Sequence, residues 1–310
     1  RKDEAWTPRF SVSFKPNSDH NIYASYSRGF KGGGFDPRGQ STQAPTQSPE
    51  DIYDFMAFDP ERVDSYEIGW KGAAINRRLK WAIAAFQANY EDVQVPGSAG
   101  CVVGGVATFC GITTNAGKAR FPGFVLETNA ALAEDFATSG HRLNFAGSLG
   151  YLDAEYLEFI SNIAGVGPVD VADQRGIQNT PKWTMSGSLD YDVPVGNGRL
   201  NLNSTLSYRS KSQQFELSIP GLDQSGFALW DANIVWRAPG NRFTVGLHGK
   251  NLTNKEYIVS GYNFLAQNPT TGAFVLGTTG NPVPTLGTEG VLTAFYGNPR
   301  QVFLSFGARF

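Results

Sequence analysis

From Arg199 to Arg209 the chain reads R-L-N-L-N-S-T-L-S-Y-R, with apolar residues recurring at every second position. Leu200, Leu202, Leu206 and Tyr208 share one side; Asn201, Asn203, Thr205, Ser207 and Arg209 share the other. The same alternation sets Leu143, Phe145, Leu149 and Tyr151 against Arg142, Asn144, Ala146 and Ser148. It sets Trp183, Met185, Leu189 and Tyr191 against Lys182, Thr184, Ser186, Ser188 and Asp190, and Phe243, Val245 and Leu247 against Thr244, His248 and Lys250. A period of two held over eight or more residues predicts a strand with one wet and one apolar face. The last ten residues follow it with Val302, Leu304, Phe306, Ala308 and Phe310, and only Phe303 breaks the polar side.

Marking every such run predicts about eleven strands. They start near Arg9, Asn21, Val63, Leu79, Phe124, Arg142, Lys182, Arg199, Phe227, Arg242 and Gln301. The runs at Asn21 and Leu79 alternate weakly and leave their register open. The connections alternate too. Short ones at 15–20, 72–78, 134–140, 192–198 and 238–241 take turns with long ones at 29–62, 91–120, 153–180, 210–226 and 252–299. An up-and-down antiparallel meander gathers all the short connections at one end and all the long ones at the other. Greek-key sandwiches scramble that order, whereas outer-membrane barrels follow it, with short periplasmic turns and long extracellular loops.

No run approaches the ~18 apolar residues of a membrane-spanning helix; a barrel hides its hydrophobicity by alternating. The six Trp test the barrel reading. Trp6, Trp183 and Trp230 fall near the long-connection ends of strands, and Trp70, Trp81 and Trp236 near the short-connection ends. That distribution fits the two aromatic girdles of a membrane barrel. Gly and aromatic residues are plentiful, charged residues make up only 17%, and the formal charge is −2. Nothing in that balance points to a nucleic-acid partner.

Seven segments resemble, in order, the TonB-dependent outer-membrane receptors. They are NIYASYSRGFKGGGF (21–35), PERVDSYEIGWKG (60–72), PGFVLETNAAL (122–132), LGYLDAEY (149–156), NTPKWTMSGSLDYDVPVGNG (179–198), GKNLTNKEY (249–257) and GNPRQVFLSFGARF (297–310). The resemblance implies an all-β, up-and-down transmembrane barrel of roughly 22 strands around a plugged lumen. About eleven of those strands lie within residues 1–310. On that reading this is the C-terminal part of the barrel, without the plug domain, the TonB box or the first barrel half. It further implies a Gram-negative outer-membrane location and import of a scarce bulky ligand, most commonly a ferric siderophore, driven through the TonB complex. Its partners would be outer-membrane lipid, the iron-chelate or other small-molecule ligand, and the barrel-assembly machinery, which would recognise the C-terminal strand ending in Phe310. A passive porin or a soluble all-β glycan-binding domain are the competing expectations.

Catalytic chemistry is thin. His20, His141 and His248 are the only imidazoles, and neither a G-x-S-x-G elbow nor an H-E-x-x-H zinc motif occurs. The chain is therefore expected to be no enzyme and to need no cofactor or metal of its own. FKGGGF (30–35) lacks the G-K-[ST] continuation of a phosphate loop. Cys101 and Cys110, nine residues apart in the second long connection, are expected to form a disulfide in an oxidising compartment, with a metal pair or free thiols as alternatives. Two stretches offer ligand contacts: Tyr53, Phe55 and Phe58 among acids in SPEDIYDFMAFDPE (48–61), and Tyr262, Phe264 and Phe274 in GYNFLAQNPTTGAFV (261–275). Large aromatic surfaces with few charges suit a flat or glycan ligand; a solvated rim is the plainer reading of both.

Overall fold

The computed structural model describes residues 2–36, 48–103, 106–115, 117–163, 166–268, 270–285 and 290–309. Its backbone is a single antiparallel meander. Eleven strands lie side by side in chain order: β1 (Arg9–Asn17), β2 (His20–Lys31), β3 (Glu61–Ala74), β4 (Leu79–Glu91), β5 (Gly117–Glu134), β6 (Arg142–Leu152), β7 (Trp183–Val195), β8 (Gly198–Arg209), β9 (Phe227–Arg237), β10 (Phe243–Lys250) and β11 (Gln301–Ala308). All eleven predicted strands are present. The weakly patterned pair has a definite register, with Ile22 opposite Trp70 and Ile83 opposite both Trp70 and Leu126. On β4 the cause is plain: Ala82, Ala84, Phe86 and Ala88 occupy the wet face and Gln87 and Asn89 the apolar one, so residue chemistry blurs the period.

Register carries the apolar face across the whole sheet. Val12, Ala24, Ile68 and Ala85 form one cross-strand row, and Leu202, Ile234, Leu247 and Leu304 form another. This side is bare of protein: Val12 is 73% exposed, Leu206 57% and Leu304 77%. A sheet presenting such a continuous apolar surface needs an apolar medium. Two rows of aromatic rings border it. At the short-turn end Trp70 and Trp81 meet edge-on at 5.1 Å, each 5.7 Å from His20. At the long-connection end stand Tyr26 with Tyr66 (5.2 Å) and Phe124, Tyr151 and Trp183, the last two 4.7 Å apart. Glycines make room for these rings: a Cβ at Gly72 would fall 2.2 Å from the Trp81 ring lying across it.

The opposite face is a lattice of hydrogen bonds. Asn203 Nδ2 donates to Ser188 Oγ (3.0 Å), which is 2.9 Å from Thr205 Oγ1, and Asn201 Nδ2 donates to Asp190 (2.9 Å). Phe303, the one apolar residue out of phase, lies here, stacked on His248 at 4.8 Å. His248 in turn bridges Asn233 (2.9 Å) and Ser305 (2.8 Å), tying β9, β10 and β11 together.

β1 and β11 are the two edges of the sheet, so it is open, a part of a barrel. Among the described residues, the largest fully buried side chains are in the long connections. Val171, Ile219 and Leu222 are each 1% exposed, and none belongs to the eleven strands.

Candidate functional site

All five long connections leave the same end of the sheet, and each holds defined structure among its described residues. The first, between β2 and β3, contains a helix, Pro49–Met56, where the sequence suggested only a loop. Tyr53 projects from it edge-on to Phe35 at 5.6 Å, and Phe58 closes over Gly34 in a two-residue pairing, Gly34–Phe35 with Ala57–Phe58. Phe55 lies on the same helix, its side chain outside the described residues. The second connection is a hairpin, Gln94–Val103 with Val106–Asn115. Buried polar groups sew it to the first: Gln94 Nε2 donates to Gly32 O (3.0 Å) and Asp59 O (2.9 Å), and Thr113 Oγ1 donates to Asp36 (2.8 Å). In its register Cys101 faces Thr108 and Cys110 faces Ala99, placing the cysteines diagonally. Their side chains lie outside the described residues, as does Phe310.

Connections three and four are tied together by hydrogen bonds, and they carry the buried Val171, Ile219 and Leu222. Gly176 N donates to Glu216 O (2.8 Å), Asn179 N to Gln213 O (2.9 Å), and Gln178 bonds the Glu216 carboxylate. Below them the wet face turns aromatic. Tyr90 and Phe121 are 4.9 Å apart, and Tyr156 meets Phe159 edge-on at the same distance. The Arg175 guanidinium lies over Phe159 at 5.4 Å. Burial, with Glu216 and Glu61 adding negative potential, pushes the Tyr156 phenol up to about 12. Burial also raises Glu216 above its ordinary range and lowers Arg175. The wall therefore combines ring faces, neutral hydroxyls and one acid–base pair of partly desolvated charges. Such a surface grips a bulky ligand by contact area and a few directed bonds, without strong net charge.

The fifth connection, between β10 and β11, carries the hairpin Ile258–Asn263 with Leu292–Tyr296. Tyr262 stacks on Phe264 (6.0 Å) and meets Phe295 edge-on (5.7 Å), with Tyr262 about half exposed; Phe274 pairs across an isolated bridge with Gln267. The base is set by Asn251, 4% exposed with φ 47°. Its N–H donates to Asp231 Oδ1 (2.8 Å), its Oδ1 accepts from Lys255 N (2.8 Å), and its Nδ2 donates to Lys255 O (2.9 Å) and Asn298 O (3.0 Å). These bonds account for Asn251, the first residue of N-L-T-N.

The two sequence-predicted aromatic sets thus stand on the same end of the molecule but on different connections, with eight strands between them. The wall of Tyr90, Phe121, Tyr156 and Phe159 was not anticipated; the signal was an aromatic residue out of phase at the loop-side end of a strand. Among the described residues no group of three or more His, Cys, Asp or Glu gathers as a metal site.

Residues 1–252 match the family profile described as TonB dependent receptor-like, beta-barrel. The metal-pseudopaline receptor CntO of Pseudomonas aeruginosa is 25% identical over 264 residues, 84% of this chain and 31% of its own length. The chain thus spans about a third of the length of the curated relatives it matches. Among solved structures, the ferric yersiniabactin uptake receptor FyuA from Yersinia pestis aligns over 97% of this chain and 36% of its own, at 17% identity and TM-score 0.62. The copper transporter OprC covers 97% and 38%, at 14% identity and TM-score 0.61. At such identities these two speak for the fold.

Proposed function

Because the chain belongs to the TonB-dependent receptor-like β-barrel family, a family of Gram-negative outer-membrane proteins, we propose that it serves an energy-driven import receptor of that membrane. The ligand is a bulky metal chelate, most commonly a ferric siderophore in this family. It meets the aromatic wall and rim at the long-connection end and passes inward when the TonB complex acts on a lumen-filling domain. The observation that carries the reading is the conjunction of family and geometry: five long connections at one end above a wet face lined by Tyr90, Phe121, Tyr156 and Phe159. The names of the relatives, a metal-pseudopaline receptor and a ferric yersiniabactin uptake receptor, support a chelate as cargo. The family argues against a passive porin, and the bare apolar face against a soluble glycan-binding domain.

We further read residues 1–310 as one portion of the barrel wall, closed in the whole protein by strands beyond β1 and β11, with the C-terminal strand and Phe310 engaging the assembly machinery. The deciding experiment is uptake of radiolabelled metal chelates by cells carrying the full-length protein, with and without TonB. Saturable, TonB-dependent uptake of a chelate, outcompeting the metal-free chelator, is expected. Equal uptake in cells lacking TonB would overturn the proposal.

A further inference from the structure

The long-connection half of the wet face holds a hollow of ≈470 Å³ in which the aromatic wall takes no part. Register builds its floor. Ser148, Ser186 and Ser207 stand in one cross-strand row on β6, β7 and β8, and Thr184 and Arg209 stand side by side in the next row toward the connections. Small residues keep the floor low: a Cβ at Gly150 would fall 2.7 Å from Thr184 Oγ1. On the other side β9 supplies Leu229 opposite Ser207 and Phe227 opposite Arg209. Tyr257 of the fifth connection closes that side, its ring stacked on Phe227 at 4.7 Å with 16° between the planes.

Buried groups hold the ring pair in place. Gln224, 7% exposed, accepts from the N–H of Ile258 (2.6 Å), the residue after Tyr257. Tyr257 O accepts from Gly297 N (2.8 Å), and a Cβ at Gly297 would fall 2.0 Å from the Tyr257 ring lying across it. Connections four and five therefore fix Tyr257 over Phe227. Arg209 is the one charged residue in the lining, and it has no ion pair among the described residues. The acids of the bordering elements are engaged elsewhere: Asp153 with Lys182, Glu155 with Arg120, Asp223 with Lys211 and Ser218, Glu216 with Gln178, and Asp231 with the Asn251 N–H. Deeper on the face Asp190 accepts from Asn201 and Asp192 pairs with Arg199. Glu256, beside Tyr257, is exposed and outside the lining.

We propose that this hollow seats a carboxylate-bearing arm of the imported chelate. A lone guanidinium matches a carboxylate in charge and in its two parallel hydrogen bonds, whereas a phosphate dianion calls for a second cation. The serine and threonine hydroxyls can donate to or accept from amide and hydroxyl groups along the arm. Leu229 and the Phe227–Tyr257 pair cover its apolar side. The volume falls within the range of ordinary ligand pockets. Arg209 shares a cross-strand row with Val125 of β5, three strands away, and Phe121 lies four residues farther along. That separation is on the order of 20 Å, so the hollow is a seat apart from the aromatic wall. The inference rests on the reading of the chain as part of a chelate receptor, and it adds a ligand class: chelates that keep a free carboxylate once the metal is bound.

Protection of Arg209 from phenylglyoxal, an arginine-selective reagent, tests it on the full-length protein purified in detergent, with modification read at each arginine by peptide mass spectrometry. The probes are a synthetic ferric trihydroxamate ending in a free carboxylate and the same chelate with that carboxylate amidated. The carboxylate form should slow modification of Arg209 severalfold and leave Arg242, at the short-turn end, unchanged; the amide should protect neither. Equal rates at Arg209 with and without the carboxylate form, or equal protection by both chelates, would overturn the seat. So would an Arg209 that fails to react without any probe, since the hollow would then be filled by protein. A second arm uses Tyr257→Leu, which keeps Arg209 and removes the ring pair. Where heat-modifiable barrel is retained, protection by the carboxylate form should be largely lost, and undiminished protection counts against the hollow as its site. Uptake is read in neither arm. Protection of Arg209 in a protein that fails the TonB uptake test refutes the receptor reading alone, and TonB-dependent uptake with Arg209 unprotected refutes the seat alone.

Discussion

At the scale of single residues, two side chains work against their surroundings and can be relieved. Ile75 is 68% exposed and left-handed, so its side chain gains little packing while its Cβ crowds the backbone. Asn tolerates that conformation. Ile75→Asn should therefore raise the unfolding free energy measured in urea by about 1 kcal/mol. Glu216 is the reverse case, a carboxyl raised by burial against the opposing pull of Gln178 and Arg175. A carboxyl whose folded pKa is raised contributes stability that is complete below its ordinary value, near 4.5, and is lost as pH rises through the folded one. Amide protection at Gly176, which bonds the Glu216 carbonyl, should fall over that interval. Glu216→Gln should hold it at the low-pH level throughout; a variant with the wild-type pH profile would show that Glu216 is not the titrating group.

At the scale of elements, what the chain discloses depends on whether a residue answers to a medium or to a neighbour. Strand positions, their faces and the alternation of connection lengths were legible because lipid-like and water-like surroundings each select residue chemistry at every second position. Leu202 and Leu247, on opposite sides of Ile234 in one row, are the check: spin labels there should show oxygen accessibility of hydrocarbon, and water-like accessibility would refute the apolar medium. The connections were legible only in length. The helix Pro49–Met56 is short and surrounded by polar residues, and its order depends on Phe35, Gly34 and a neighbouring hairpin distant in sequence. The aromatic wall was missed for the same reason. Tyr156 joins Tyr90 and Phe121 only because the strand Glu155–Ile163 pairs with the upper half of β5. The cysteine pair sits between these cases. Its spacing suggested a bridge, while the register sets Cys101 and Cys110 diagonally, where Cα atoms of paired strands are ~7–8 Å apart, beyond the usual disulfide span. We still propose the bridge, formed with a local slip of the hairpin. Non-reducing peptide mapping should find the Cys101–Cys110 crosslink, and two alkylatable thiols would exclude it.

At the scale of the molecule, the count of strands decides how the edges are met. In an antiparallel meander every odd strand runs the same way, so β1 and β11 are parallel to each other. An eleven-strand sheet closing on itself would need one parallel seam in an otherwise antiparallel tube, whereas single-chain bacterial barrels close with even numbers of strands. Unpaired edges are not tolerated in lipid. We therefore propose that both edges of this sheet pair with other strands, and that the wet face, with its His248–Phe303 stack at one margin, lines a wider lumen than eleven strands could enclose. Paired cysteines at Ser305 and at Ser11 or Ser13, all on the wet face, distinguish the two closures. A disulfide needs Cα atoms within about 7 Å, and in a barrel of roughly twice this width the β1 and β11 edges stand tens of ångströms apart. Neither S11C/S305C nor S13C/S305C should crosslink in the full-length protein under mild oxidation, as judged by unchanged mobility on non-reducing gels. A crosslink in either would mean that this chain forms its own narrow tube, with no room for a lumen-seated partner.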